Sequence, residues 1–275
     1  MIRLAVRVQR RQAELVLAEL LDLAPSGVEE VDAGRDIVEY AVYGAPGELP
    51  ALPDLKAAAG EALVEVSTSE IADDWSERWR AFHQPLVLAP RLTVRPPWEP
   101  PGHTEIDLVI DPGQAFGTGA HATTRLCLEL ILELDANDAA GGSFLDLGCG
   151  SGVLAITAAK LGWASVLAVD NDPAALVATR TNAEVNQAAI DIRGLDLRVE
   201  PTPGADTVAA NLLGPLLLGW AERLAGAPDP PARVIASGLL LAEADRVAAA
   251  FTTSGLIELR RRARGEWAVV LLGRG

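Results

Sequence analysis

Cysteine is almost missing from this 275-residue chain, which has only Cys127 and Cys149. Two cysteines cannot build a disulfide framework, so a cytoplasmic location is expected. Histidine is nearly as scarce. His83, His103 and His121 stand at no metal-ligand spacing from one another or from the cysteines, and no metal site is expected. Lysine is limited to Lys56 and Lys160, and 23 Lys and Arg against 38 Asp and Glu leave a formal net charge of −15. Diffuse binding to nucleic acid works by neutralising phosphates with cations, so this balance argues against direct nucleic-acid binding and fits a basic protein partner. An acidic surface that simply keeps the protein soluble explains the charge equally well. Long apolar runs are also lacking: none reaches the ~18 residues of a membrane span. Near the start, Arg3, Arg7, Arg10 and Arg11 interrupt the apolar residues too early for a secretory signal.

Glycine, by contrast, is concentrated where it carries information. Phe144-Leu145-Asp146-Leu147 is a short apolar run, followed by Gly148-Cys149-Gly150-Ser151-Gly152 and then by an Ala-rich stretch, 153–161, with helical spacing. A second apolar run, 165–170, ends in Asp170, 20 residues after Gly150. The pattern reads strand, glycine turn, helix, strand. Alternate glycines let the backbone turn sharply and approach a ligand with no Cβ in the way. An acid at the second strand's tip can accept hydrogen bonds from both hydroxyls of a ribose.

Two classes of adenosine-bearing cofactor use such a turn. A dinucleotide fingerprint is Gly-x-Gly-x-x-Gly and places a pyrophosphate at the helix N-terminus. Here the spacing is Gly-x-Gly-x-Gly, and Asp146 precedes the first glycine by two residues. A carboxylate at that point repels a pyrophosphate and suits a cofactor with a cationic amino-acid end. S-adenosylmethionine is such a cofactor. Cys149 lies in the turn without a histidine at recognisable spacing, so it reads as a small turn residue rather than a nucleophile.

Residues 1–70 carry a separate pattern, with strands at 2–8, 27–32, 37–42 and 63–69 and helices at 12–21 and 54–60. The order βαββαβ is the ferredoxin-like α+β unit. Trp75, Trp79 and Phe82 then fall on one helix face, as core or interdomain packing does. Pro85, Pro90, Pro96, Pro97, Pro100 and Pro101 follow, and 71–102 reads as a linker helix and a proline-rich linker. From 103 to 275 the elements alternate in the α/β manner. Strands are expected at 106–110, 144–147, 165–170, 195–200, 207–211 and 233–237, with an antiparallel closing pair at 256–261 and 267–272. Ligands of such sheets sit beyond the carboxyl ends of the strands, where Asp146, Asp170 and Asn211 all lie.

Three segments together resemble one family. The stretch from Ile110 to Thr124, containing Phe116-Gly117-Thr118-Gly119-Ala120-His121-Ala122-Thr123-Thr124, is similar to the loop before the first cofactor-binding strand of ribosomal protein L-eleven methyltransferases (PrmA). Asp146 to Gly152 resembles that family's cofactor turn, and Ala210-Asn211-Leu212-Leu213 its Asn-containing strand end. Asp73-Asp74-Trp75, Ser237-Gly238-Leu239-Leu240 and Gly265-Glu266-Trp267 extend the similarity over most of the chain.

The resemblance implies a class I methyltransferase fold, Rossmann-like with a mostly parallel seven-stranded sheet, behind the ferredoxin-like domain. It implies that Thr124, Gly148, Asp170 and Asn211 contact S-adenosylmethionine, with Asp146 and Gly150 in the cofactor turn and Phe116 and His121 in a loop that closes over it. The implied reaction is N-methylation of lysine side chains and of the N-terminal α-amine of the large-subunit ribosomal protein L-eleven, by a monomer whose residues 1–70 recognise that substrate. Asn211 and the Leu212 carbonyl are the candidates for orienting the attacking amine. Two other readings stay open on the residues alone: an N-methyltransferase of RNA or a small molecule, and a non-catalytic S-adenosylmethionine-binding module.

Overall fold

The computed structural model describes residues 2–274 apart from 14–15, 18–19, 21–22, 24–27, 35, 45–48, 71–82, 113–120, 137–141 and 228–229. Trp75, Trp79 and Phe82 lie outside the described residues, as does Phe116. The chain divides into two compact units, Met1–Phe82 and His83–Gly275.

In the first unit, strands β1 (Ile2–Gln9), β2 (Glu29–Asp32), β3 (Ile37–Gly44) and β4 (Leu63–Glu70) form one sheet in the order β2-β3-β1-β4. Every neighbouring pair is antiparallel, which is the ferredoxin-like arrangement. Alternation decides the faces. Leu4, Val6, Val8, Val38 and Tyr40 join a core with Ala13, Val16 and Leu20 of the first helical stretch and with Leu55 and Ala59 of α1 (Leu52–Ala59). On β1, Arg3 and Arg7 have the opposite parity, and both reach the Glu39 carboxylate, at 2.5 and 2.6 Å. Hydrogen bonds from Arg3 and then Arg7 hold that carboxyl below its ordinary pKa.

The second unit opens with β5 (Leu86–Leu88), β6 (Leu92–Arg95) and β7 (Ile106–Val109), a three-stranded sheet. This corrects the expected linker over 71–102: its second half is folded into the α/β unit. Pro90 lies between β5 and β6, and Pro96 and Pro97 follow β6, so the prolines fall where no ladder N–H is needed. The buried Leu86, Leu88, Leu92 and Val94 are left free to pair and pack.

The main sheet contains β8 (Ser143–Leu147), β9 (Ser165–Asp170), β10 (Asp191–Gly194), β11 (Thr207–Asn211), β12 (Arg233–Leu240), β13 (Leu256–Arg264) and β14 (Trp267–Arg274). Its order is β10-β9-β8-β11-β12-β14-β13, parallel from β10 to β12 and antiparallel over the last two pairings. It is the seven-stranded Rossmann-like sheet expected. Phe144, Ala209, Ile235 and Val269 feed one core with α2 (Ala122–Ala136) and α3 (Val153–Leu161). Leu145, Val208, Val234 and Val270 feed the other with α5 (Gly214–Leu224) and α6 (Ala244–Phe251), where Trp220 packs edge-on to Phe251. Between β9 and β10 runs α4 (Pro173–Val185). Burying both faces is what a mostly parallel sheet requires.

A second correction concerns 195–200, expected as a strand. The strand is β10, four residues earlier, and the chain turns after it. Asp196 explains the turn: its carboxylate accepts from the Arg198 backbone N–H at 2.9 Å and is gripped by the same residue's guanidinium. Such local side-chain bonds compete with a strand ladder. Among the described residues no helix is long and apolar enough to cross a membrane, and no group of three or more His, Cys, Asp or Glu could hold a metal.

Candidate cofactor site

The site begins where β8 ends. Gly148 and Cys149 both donate their backbone N–H to the Val169 carbonyl of β9, at 2.9 and 3.0 Å, and Gly148, Gly150 and Gly152 all have positive φ. Two glycines pack against one leucine. A Cβ on Gly148 would stand 2.4 Å from Leu212 Cδ2, and one on Gly238 would stand 2.5 Å from the Leu212 carbonyl oxygen. The Asn211-Leu212 strand end is therefore seated between the cofactor turn and the end of β12, and Leu212 N–H donates to the Ser237 carbonyl at 2.9 Å.

Two carboxylates flank the turn. Asp170 Oδ2 accepts from Gly150 N–H and Oδ1 from Asp172 N–H, both at 3.0 Å, which fixes the carboxylate while lone pairs on both oxygens stay available. Asp146 is buried, and its Oδ2 accepts from Ala155 N–H in the first turn of α3, at 3.0 Å. Its Oδ1 is buried with no partner, as are Thr124 Oγ1 and Asn211 Oδ1. All three residues line one cavity of about 300 Å³ at the carboxyl ends of the strands. Orphaned buried polar atoms are costly, so three of them on residues that line one cavity point to a place built for a ligand.

Burial pushes the Asp146 carboxyl up to about 7, against the lowering pull of the Ala155 N–H, and the nearby Asp170 charge adds to the rise. Cys149 is buried with Sγ 3.2 Å from Thr179 Oγ1, and desolvation drives its thiol far upward. A thiol so held is inert, in keeping with the turn-residue reading.

The family model of ribosomal protein L11 methyltransferase (PrmA) matches residues 48–274 of this chain. The chain belongs to this family. A ribosomal protein L11 methyltransferase of Symbiobacterium thermophilum is 37% identical over 201 residues, covering 72% of this chain and 65% of the relative. One of Pelotomaculum thermopropionicum is 41% identical over 207 residues, covering 74% and 66%. The match spans just under two thirds of the length of each of these curated relatives. A crystal structure of a ribosomal protein L11 methylase from Lactobacillus delbrueckii subsp. bulgaricus superposes with a TM-score of 0.61 at 27% identity, covering 70% of this chain and 99% of that one.

In this PrmA family member the cavity brings together Thr124, Asp146, Gly148, Gly150, Asp170, Asn211 and Leu212, as the sequence suggested. His121 is not among the residues that line this cavity: it lies just before α2, its ring 4.8 Å from that of Trp267 and its Nδ1 2.7 Å from Thr123 Oγ1. Burial lowers its pKa. Sequence reasoning missed Leu195, Asp196, Leu197 and Arg198, which line the cavity from the turn after β10, and Leu216 from α5. The rule that ligands sit beyond strand ends would have found the first four had β10 been placed correctly.

The donor set fits S-adenosylmethionine. Val169, Leu195 and Leu197 offer apolar wall for a flat base, Asp170 offers acceptors for ribose hydroxyls, and Asp146 offers a buried carboxylate for a cation. A pH dependence follows for this PrmA family member. In the ligand-free protein the folded state favours protonated Asp146, so this carboxyl's contribution to stability is full below its ordinary value of 3.8 and is lost as pH rises through about 7. Binding a cationic ligand has the opposite sign, because it needs the carboxylate. From pH 6 to pH 8, which bracket the value of about 7, the affinity for S-adenosylmethionine should rise severalfold in wild type, the gain in carboxylate being offset in part as the ligand's α-ammonium, ordinarily at about 7.7–8.0, begins to lose its proton. Asp146→Asn should bind more weakly and with no such dependence. Calorimetry across that range checks this, and a parallel rise in both proteins would assign the effect to another group.

Proposed function

We propose that this chain is an S-adenosylmethionine-dependent N-methyltransferase acting on ribosomal protein L11, at lysine side chains and the N-terminal α-amine. One observation carries the reading: Asp146, Thr124 and Asn211, each holding a buried polar atom without a partner, line a single cavity together with the glycine turn and Asp170. The names of the family and of its relatives support the substrate.

S-adenosylmethionine, when bound, supplies a methyl group on a cationic sulfur. The remaining work falls to side chains of this chain. Asp170 holds the ribose and Asp146 the cationic amino-acid end, with Thr124 as a further hydrogen-bonding group. Asn211 Oδ1 accepts an N–H from the incoming amine, with the Leu212 carbonyl as a second acceptor, so that the nitrogen lone pair points along the line of transfer. Leu212 and Leu216 make the approach apolar. An apolar approach lowers the amine's pKa and favours the neutral nucleophile, whose proton leaves to solvent beforehand. Alignment supplies most of the barrier reduction, and little acid chemistry is needed.

Residues 1–70 are assigned to substrate recognition, the α/β unit to catalysis, and the protein to the cytoplasm as a monomer without direct contact to nucleic acid. Phe116 and His121 are assigned to the loop over the cofactor. Asn211→Ala is the discriminating variant. It should lower the single-turnover rate constant about 10²-fold, the usual scale for loss of one preorganised polar group, while cofactor affinity falls far less. Equal losses in both would place Asn211 in cofactor binding alone.

A further inference from the structure

Helix α4 and its C-cap carry a buried polar stripe whose residues do not themselves line the cavity. Thr179, Asn182 and Asn186 are spaced three and four residues apart, on one face, and are 0%, 2% and 7% exposed. Polar residues buried this deeply require partners, and each of these three bonds backbone groups of the glycine turn or of the Val109–Asp111 segment.

Thr179 Oγ1 donates to the Gly150 carbonyl at 2.9 Å. A hydroxyl has one proton, so the contact with Cys149 Sγ at 3.2 Å runs from thiol to hydroxyl, as the raised thiol pKa allows. Gly150 is thus held at both polar atoms by one segment of chain: its N–H by Asp170 at the tip of β9, its carbonyl by Thr179 two turns into α4. Asn182 Nδ2 donates to the next carbonyl of the turn, that of Ser151, at 2.9 Å. Its Oδ1 accepts from Asp111 N–H at 3.0 Å. Asn186 completes the set, accepting from Val109 N–H at 2.9 Å and donating to the Val109 carbonyl at 2.7 Å. It pairs with the last residue of β7 at both backbone groups, much as a neighbouring strand would.

A turn with three residues at positive φ has little intrinsic preference for one shape, because glycine samples many. Its geometry has to be imposed from outside. From this arrangement we infer that Thr179, Asn182 and Asn186 are positioning residues of the S-adenosylmethionine site, fixing the glycine turn and its spacing from the Val109–Asp111 backbone without touching the ligand. The inference rests on the cofactor reading above.

Thr179→Val keeps the side chain's shape and removes the hydroxyl, leaving the Gly150 carbonyl and the Cys149 thiol without their partner. Thr179→Ser restores it. Asn182→Ala removes both bonds of the second residue. The measurements are the Kd for S-adenosylmethionine by calorimetry, well below each variant's unfolding midpoint, together with that midpoint. The expected result is about a tenfold rise in Kd for Thr179→Val, the scale of one hydrogen bond, with recovery to about twofold of wild type in Thr179→Ser. Asn182→Ala, if folded, should weaken binding at least as much. A merely structural role predicts a lower midpoint with unchanged Kd in the folded variants, and that outcome would overturn the inference while leaving the cofactor assignment intact. Failure of the wild-type protein itself to bind S-adenosylmethionine would remove both.

Discussion

Asp170→Ala is expected to weaken S-adenosylmethionine binding by about 10²- to 10⁴-fold, since it deletes two charge-assisted hydrogen bonds worth roughly 1.5–3 kcal/mol each. The loss goes beyond the ribose. Asp170 also accepts from Gly150 N–H and Asp172 N–H, both at 3.0 Å, so the variant frees one anchor of the glycine turn as well. The fold should survive, because the strand's own ladder to β8 and β10 is made by backbone and the residue sits at the strand tip. Calorimetry reads the affinity, and circular dichroism reads the fold. An unchanged Kd in a folded variant would mean that the ribose lies elsewhere.

Removing the first unit should separate binding from catalysis on protein. A chain beginning at His83 contains every residue that lines the cavity, together with both cores of the α/β unit. It should fold and bind S-adenosylmethionine within about threefold of the full chain, while kcat/KM on intact ribosomal protein L11 falls by about 10²-fold or more, as expected when remote binding energy is lost. Full activity of the shortened chain would take substrate recruitment away from the first unit.

Much of the site was legible because its signals are local. Asp146, the three glycines and Asp170 lie within one strand-turn-helix-strand passage, where alternation and glycine spacing speak directly. Asn211 was legible by its place at a strand end. Prolines hid the β5–β6 hairpin, since Pro90 and Pro96 read as breaks in a linker when they in fact bound two short strands. The alternation of Leu195, Leu197 and Val199 imitated a strand, while Asp196 was bonding to Arg198 and turning the chain. The stripe on α4 was beyond any sequence pattern. Asn182 and Asn186 meet partners 31 to 77 residues away, and nothing in helical spacing announces what a buried asparagine will hold.

The most direct measurement is transfer of labelled methyl from S-adenosylmethionine by the 275-residue chain, with ribosomal protein L11 taken from a host that lacks this modification. Mass spectrometry of the product should place methyl groups on lysine side chains and the N-terminal α-amine of L11, with Asn211→Ala and Asp170→Ala strongly impaired. Label appearing only in RNA or in small molecules, or no transfer from a protein that binds the cofactor tightly, would contradict the assignment.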